Sequence, residues 1–154
     1  MKRIFFFLLF LADCTGCGEQ GMAKADEWSL QINSTSIHHG ECEIKCNQDN
    51  RGLGIQRDHI ENGVIKTLTV GTLINSINDR SYYAGGAYKY QRGPLSAGVF
   101  GGLVYYKSDK LNLWPALLPI ASLNFKHFGI NALYIPTLRK DAPSALFFQL
   151  VVKL

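Results

Sequence analysis

Leu146-Phe147-Phe148-Gln149-Leu150-Val151-Val152-Lys153-Leu154 is the stretch whose reading decides the fold. Leu146, Phe148, Leu150, Val152 and Leu154 share one side of a two-residue period, and Gln149 and Lys153 share the other. Alternation with one wholly apolar face marks a strand that sets that face in lipid or in a core. At the C-terminus of an exported chain, it is the pattern of the closing strand of an outer-membrane β-barrel. The competing reading is an edge strand of a soluble β-sandwich. The two differ in compartment and substrate class, and the spacing of turns upstream separates them.

Turn signals divide the chain into eight strands. The first is expected at about 28–37, followed by a long polar link over 38–51. The second, 52–60, turns tightly at Asn62-Gly63, the strongest hairpin dipeptide. The third, 64–73, meets the link Asn75-Ser76-Ile77-Asn78-Asp79-Arg80, and the fourth, 81–90, turns at Gln91-Arg92-Gly93-Pro94. The fifth, 95–106, leads into a charged loop over 107–113. The sixth and seventh, 116–125 and 128–135, join through Lys126-His127, and a link over 137–143 precedes the last strand. Connections therefore alternate between long and short. An eight-stranded antiparallel outer-membrane β-barrel has that arrangement, with both termini on the short-turn side; a sandwich has no reason for it.

Export is legible at the other end. Met1-Lys2-Arg3 precedes an apolar run, Ile4 to Ala12, which suits a secretory signal and is too short to span a bilayer. Cleavage is expected near residue 25, after Ala23-Lys24-Ala25, leaving one domain over 26–154; Gly16-Cys17-Gly18 is a second candidate and a lipoprotein at Cys14 a third. No later stretch approaches the ~20 apolar residues of a membrane helix, so a membrane reading requires a closed barrel. The formal net charge of +4 comes without a basic cluster, so no nucleic-acid partner is expected. Cys42 and Cys46 would remain in an oxidising compartment, where they can form a small loop disulfide. The alternative joins them to His38 and His39 as a zinc site, at a spacing that matches no familiar zinc motif.

Glycine and proline placement bears on function. Gly52, Gly54, Gly71, Gly85, Gly86, Gly98, Gly101 and Gly102 lie within the second to fifth strands. So many glycines imply tight curvature or interior room for one slender ligand. Pro115, Pro119 and Pro136 cannot donate to a ladder and predict gaps in the wall around the sixth and seventh strands. The polar candidates His38, His39, Asn75 and Ser76 fall at strand ends on the long-loop side, with His59 and His127 opposite. A histidine and a serine on one rim can support acyl transfer, with the imidazole as general base; solvated loop residues are the plainer reading.

Pro115-Ala116-Leu117-Leu118-Pro119-Ile120-Ala121-Ser122 followed by Tyr134-Ile135-Pro136 resembles the outer-membrane lipid A palmitoyltransferases of the PagP type. Cys46-Asn47-Gln48 through Gly52-Leu53-Gly54, and Leu73-Ile74-Asn75-Ser76-Ile77 with Tyr83-Ala84-Gly85, are weaker matches. The resemblance covers residues 30–154 and is nearer still to short, uncharacterised phage and bacterial relatives with Asn-Ser in this loop. It implies an eight-stranded barrel that moves an acyl chain from a phospholipid to lipid A in a Gram-negative outer membrane, acting as a monomer without metal or other cofactor. It also implies a catalytic set of His38 (or His39), Ser76 and Asn75. Asn75 departs from the family's aspartate: an amide can hold a histidine tautomer but cannot stabilise an imidazolium by charge. The acyl pocket would lie around Ala87 and Gly85, with Ala87 favouring a shorter chain than palmitate. Access would pass Pro115 and Pro119. The first long loop is shorter than the family's, no amphipathic helix precedes the first strand, and Leu154 stands where barrels usually end in an aromatic. A catalytically inert surface barrel and a soluble lipocalin-like lipid carrier are the alternatives.

Overall fold

Residues 25–40, 46–107, 113–137 and 143–154 are described in a computed structural model. Residues 1–24 of the expected signal with Cys14 and Cys17, and parts of three long loops, one of them holding Cys42, lie outside these residues.

Eight strands run in chain order: β1 (Ala25–His39), β2 (Asp49–Glu61), β3 (Val64–Ile74), β4 (Arg80–Arg92), β5 (Leu95–Tyr106), β6 (Leu113–Asn124), β7 (Phe128–Ile135) and β8 (Ser144–Lys153). Each pairs antiparallel with its neighbours, and β8 returns to β1 to close the barrel. The expected strands are all present, with ends displaced by at most three residues. The β2–β3 turn is closed by two left-handed residues, Asn62 (φ 51°) and Gly63 (φ 73°), as a two-residue hairpin of this hand requires.

The barrel is apolar outside and polar inside. Leu68, Val70, Tyr88, Val99, Leu103, Leu117, Ile130 and Leu150 face outward and exposed, and Leu117 retains 74% of its surface. Inside, Ser29, Gln31, Asn33, Gln56, Asp58, Thr67, Lys89, Asn131 and Gln149 are buried. A water-soluble barrel would invert this arrangement; a barrel surrounded by lipid requires it. The alternating face of the final segment, left open between lipid and core, is the outward one: Leu150 and Leu154 are exposed, while Phe147, Gln149 and Val151 point in.

The interior has two compartments. Toward the short turns lies a hydrogen-bonded polar plug. Gln31 donates to Gln56 (2.7 Å), Gln56 and Thr67 donate to the two oxygens of Asp58, and Gln149 donates to Asn33 (2.8 Å). Toward the long loops, Ala87, Phe100, Ile120, Leu133 and Phe147 form an apolar cluster backed by Leu73, Ala116, Leu118 and Ile135. Interior glycines make room for aromatic side chains. The Tyr83 hydroxyl would lie 2.6 Å from a Cβ on Gly54 and 2.5 Å from one on Gly71. The Phe100 ring would lie 2.8 Å from a Cβ on Gly85 and 2.9 Å from one on Gly102.

Ladder continuity differs around the wall. β4 and β5 pair without interruption from Ser81↔Tyr106 to Arg92↔Leu95, and β5 and β6 from Tyr105↔Leu113 to Leu95↔Leu123. β6 pairs with β7 only from Asn124↔Gly129 to Ile120↔Leu133, so the ladder between these two strands ends at Ile120. Pro115 and Pro119, four residues apart, turn their missing N–H toward the same neighbour. The β5 ladder passes both unbroken and the β7 ladder stops beside Pro119, which identifies that neighbour as β7. The gap expected from these prolines is therefore present in the wall.

Candidate functional site

The site begins with an irregularity in β1. Ser29, Gln31 and Asn33 point inward, and strict alternation would send Thr35 and Ile37 inward and His38 into lipid. The register of β1 shifts between Asn33 and Ser36 against β8, and between Asn33 and Thr35 against β2. One extra residue inverts the alternation. Ser36 is thereby buried, Ile37 exposed, and His38 turned toward the barrel mouth. The distortion is held by Gln48, whose carbonyl accepts from the Ser36 amide (3.0 Å) and the Thr35 hydroxyl (2.8 Å).

Opposite, the β3–β4 loop is built around Asn75. Its amide oxygen accepts from the amides of Ile77 (3.0 Å) and Asp79 (2.9 Å), and its Nδ2 donates to Ser81 Oγ (3.0 Å). Asn78, at φ 62°, donates its amide to the Asn75 carbonyl (3.0 Å). This closed loop presents Ser76. Its hydroxyl lies 3.0 Å from His38 Nε2, so two residues 38 apart in sequence meet in one hydrogen bond.

Asn47 ties the two sides together. Its amide donates to the Ser76 carbonyl (2.7 Å), and its Nδ2 donates to the Asn75 carbonyl (3.2 Å) and the Asp49 carbonyl (2.8 Å). Asn50 adds a bond from Nδ2 to the Ile74 carbonyl (2.8 Å). The neighbouring Cys46 is disulfide-bonded, which removes it from the alternative zinc set with His38, His39 and Cys42. Asp49 is engaged by Arg51.

Of the expected site residues, His38 and Ser76 are in contact, whereas His39 is exposed and pairs with Ser144 in the ladder. Asn75 is adjacent but does not orient the imidazole, because its side-chain bonds hold its own loop. His38 Nδ1 is buried without a hydrogen-bond partner. Ala87 and Gly85 face the interior as expected, but the space at Gly85 holds the Phe100 ring. Pro115 and Pro119 face outward at the β6–β7 gap.

Sequence reading missed three features of the site: the bulge, Asn47 and Phe100. A signal for the first was present, since outward apolar residues fall on even numbers through Ile32 and on an odd number at Ile37. Asn47 and Phe100 act through contacts across the chain that carry no local pattern.

No protein-family model matches the chain, and no curated protein matches it. Among solved structures it is similar to the Yersinia pestis outer membrane protein Ail, determined as a backbone structure in a phospholipid bilayer nanodisc. The identity is 14% and the TM-score 0.47, over 84% of this chain and all of that one.

Proposed function

We propose that the chain is a barrel of a Gram-negative outer membrane whose long-loop rim carries an acyl-transfer site. The observation that carries this reading is the 3.0 Å contact between His38 Nε2 and Ser76 Oγ, made possible only by a bulge that turns His38 away from lipid. His38 accepts the Ser76 proton as the hydroxyl oxygen attacks the ester carbonyl of a phospholipid. The departing lysophospholipid alkoxide takes that proton. A hydroxyl of lipid A then gives its proton to His38 as it attacks the acyl-serine, and Ser76 leaves reprotonated. The donor's ester supplies the activated acyl group, so the scheme requires no soluble cofactor. Pro115 and Pro119 flank the lateral route by which the chain would reach the apolar cluster around Ala87, and Phe100 would have to turn aside to admit it.

The test is lipid A mass spectrometry from cells producing the protein and its His38→Ala and Ser76→Ala variants. An added acyl mass that vanishes in both variants is expected, and its size reports the chain length that Ala87 and Phe100 permit. Unchanged lipid A beside a folded, membrane-inserted barrel would reject acyl transfer.

A specific observation favours the second reading, an inert barrel that remodels the surface or binds an external partner. Asn75 is committed to its loop and Phe100 fills the space beside Gly85, so the pair His38–Ser76 would then serve only to fasten the rim.

A further inference from the structure

Arg80 opens β4, and Lys107 follows the last residue of β5. The last pair of that ladder is Ser81↔Tyr106, which sets Arg80 and Lys107 opposite one another a single step beyond it. Ser81 is fully buried, so alternation turns both cations outward, and both are exposed. One step below, Tyr82 and Tyr105 are paired on the same outer face with ring centroids 6.3 Å apart. Below them the outward surface continues through Ala84 and Leu103.

Like charges directly opposite across a strand pair repel, so an arrangement of this kind is stable when an anion lies between them. The described residues supply none: neither cation forms an ion pair among them. The adjacent carboxylate, Asp79, accepts from the Arg80 backbone amide (2.8 Å). Paired outward tyrosines mark the depth of lipid headgroups on a transmembrane barrel. A phosphate at the level of Arg80 and Lys107 would continue into a glycerol beside the tyrosine rings and an acyl chain along Leu103. A free phosphate would make no use of that wall.

We propose that Arg80 and Lys107, above Tyr82 and Tyr105, form a seat for the phosphate of an anionic lipid in the surrounding bilayer. The seat rests on the membrane placement of the barrel and is independent of acyl transfer at His38 and Ser76. A cation near a membrane surface contributes about a fivefold preference for anionic over zwitterionic lipid.

The experiment folds the protein into phosphatidylcholine vesicles containing spin-labelled phosphatidylglycerol or spin-labelled phosphatidylcholine, and reads the motionally restricted fraction of each. The wild type is expected to prefer phosphatidylglycerol. The preference should fall about fivefold for Arg80→Gln or Lys107→Gln, and further for the double variant. An Arg51→Gln/Lys126→Gln variant, which removes a cation already paired with Asp49 and one in the β6–β7 turn, should keep it. Heat-modifiable gel mobility establishes that each variant is folded. Equal restriction of the two lipids, or equal loss in both double variants, would overturn the seat, as would complete competition by inorganic phosphate. Failure of the wild type to enter vesicles would overturn the membrane placement with it.

Discussion

The two ends of this barrel solve different problems with the same eight strands. Toward the short turns lie the Asn62-Gly63 hairpin, the paired end of the β6–β7 ladder, and an interior in which Gln31, Gln56 and Thr67 are linked through hydrogen bonds to Asp58. Toward the long loops, the β6–β7 ladder stops at Ile120, β1 is bulged, and His38 and Ser76 meet at the rim. In lipid, an unmade backbone hydrogen bond costs several kcal/mol, so a gap at membrane depth persists only where the rest of the wall holds it open. The closed end is what permits the irregular one.

The sharpest way to break this contrast uses two glycines of similar local geometry. A Cβ on Gly98 would lie 1.9 Å from the Tyr88 carbonyl oxygen, and one on Gly52 would lie 1.9 Å from the Thr72 carbonyl oxygen. Gly98 sits within continuous ladders on both sides, whereas the β2–β3 ladder ends at Gly54↔Gly71, short of Gly52. Gly98→Ala should therefore cost about 3 kcal/mol or more, and Gly52→Ala about half as much, because β2 can yield there. Urea titration of the protein folded in vesicles checks the ratio. Equal losses would mean that the interrupted ladder is as rigid as the continuous one.

Next in size is the plug. Asp58→Ala leaves the Gln56 Nε2 donor and the Thr67 hydroxyl without their shared acceptor, at a cost of about 2–3 kcal/mol. Asn75→Ala removes three hydrogen bonds at the other end, where water can reach the part-buried Ile77 and Asp79 amides but not the buried Ser81 hydroxyl. About 1 kcal/mol is expected, with a larger fall in acyl transfer than in stability. Asn75→Asp, by contrast, should leave transfer unchanged. Its oxygen can keep the Ile77 and Asp79 amides, the Ser81 hydroxyl can turn to donate, and no new partner reaches His38 Nδ1. A gain in lipid A acylation from that variant would show that the loop rearranges to bring the acid to the imidazole.

The closed end was legible in the sequence and the open end only partly so. Asn62-Gly63, the two-residue period and the alternation of loop lengths act locally, and they locate all eight strands within three residues. Alternation assigns residues to two faces but does not say which face is inside. Gln31, Gln56 and Gln149 are buried, and the bonds they make to one another and to Asp58 and Asn33 follow from closure rather than from any local pattern. The prolines marked the wall gap because a missing N–H is a property of one residue. The fit of Phe100 over Gly85 and Gly102 was not legible, since glycines announce room without naming the occupant. His38 and Ser76 were candidates by their place at strand ends on the long-loop side, and the resemblance gave them their roles. What makes their contact possible, a parity change between Ile32 and Ile37, is written in the sequence but becomes meaningful only beside the registers of β2 and β8.

Pro119 offers the smallest effect and the most direct probe of the open end. The ladder as it stands would next pair residue 119 with Tyr134, but proline supplies no donor there. Pro119→Ala restores an N–H on the side that faces β7. One added rung is worth about 0.5–1.5 kcal/mol, so the variant should be slightly more stable in urea than the wild type. Closing the wall by that rung should also narrow the lateral route and slow acylation of lipid A, while leaving the His38–Ser76 contact in place. Stability and transfer would then move in opposite directions, which ordinary damage to a fold does not produce. A variant that is more stable and equally active would confine the gap to structure and put the acyl route elsewhere in the wall. The bulged stretch of β1 between Asn33 and Ser36 would be the next place to look for it.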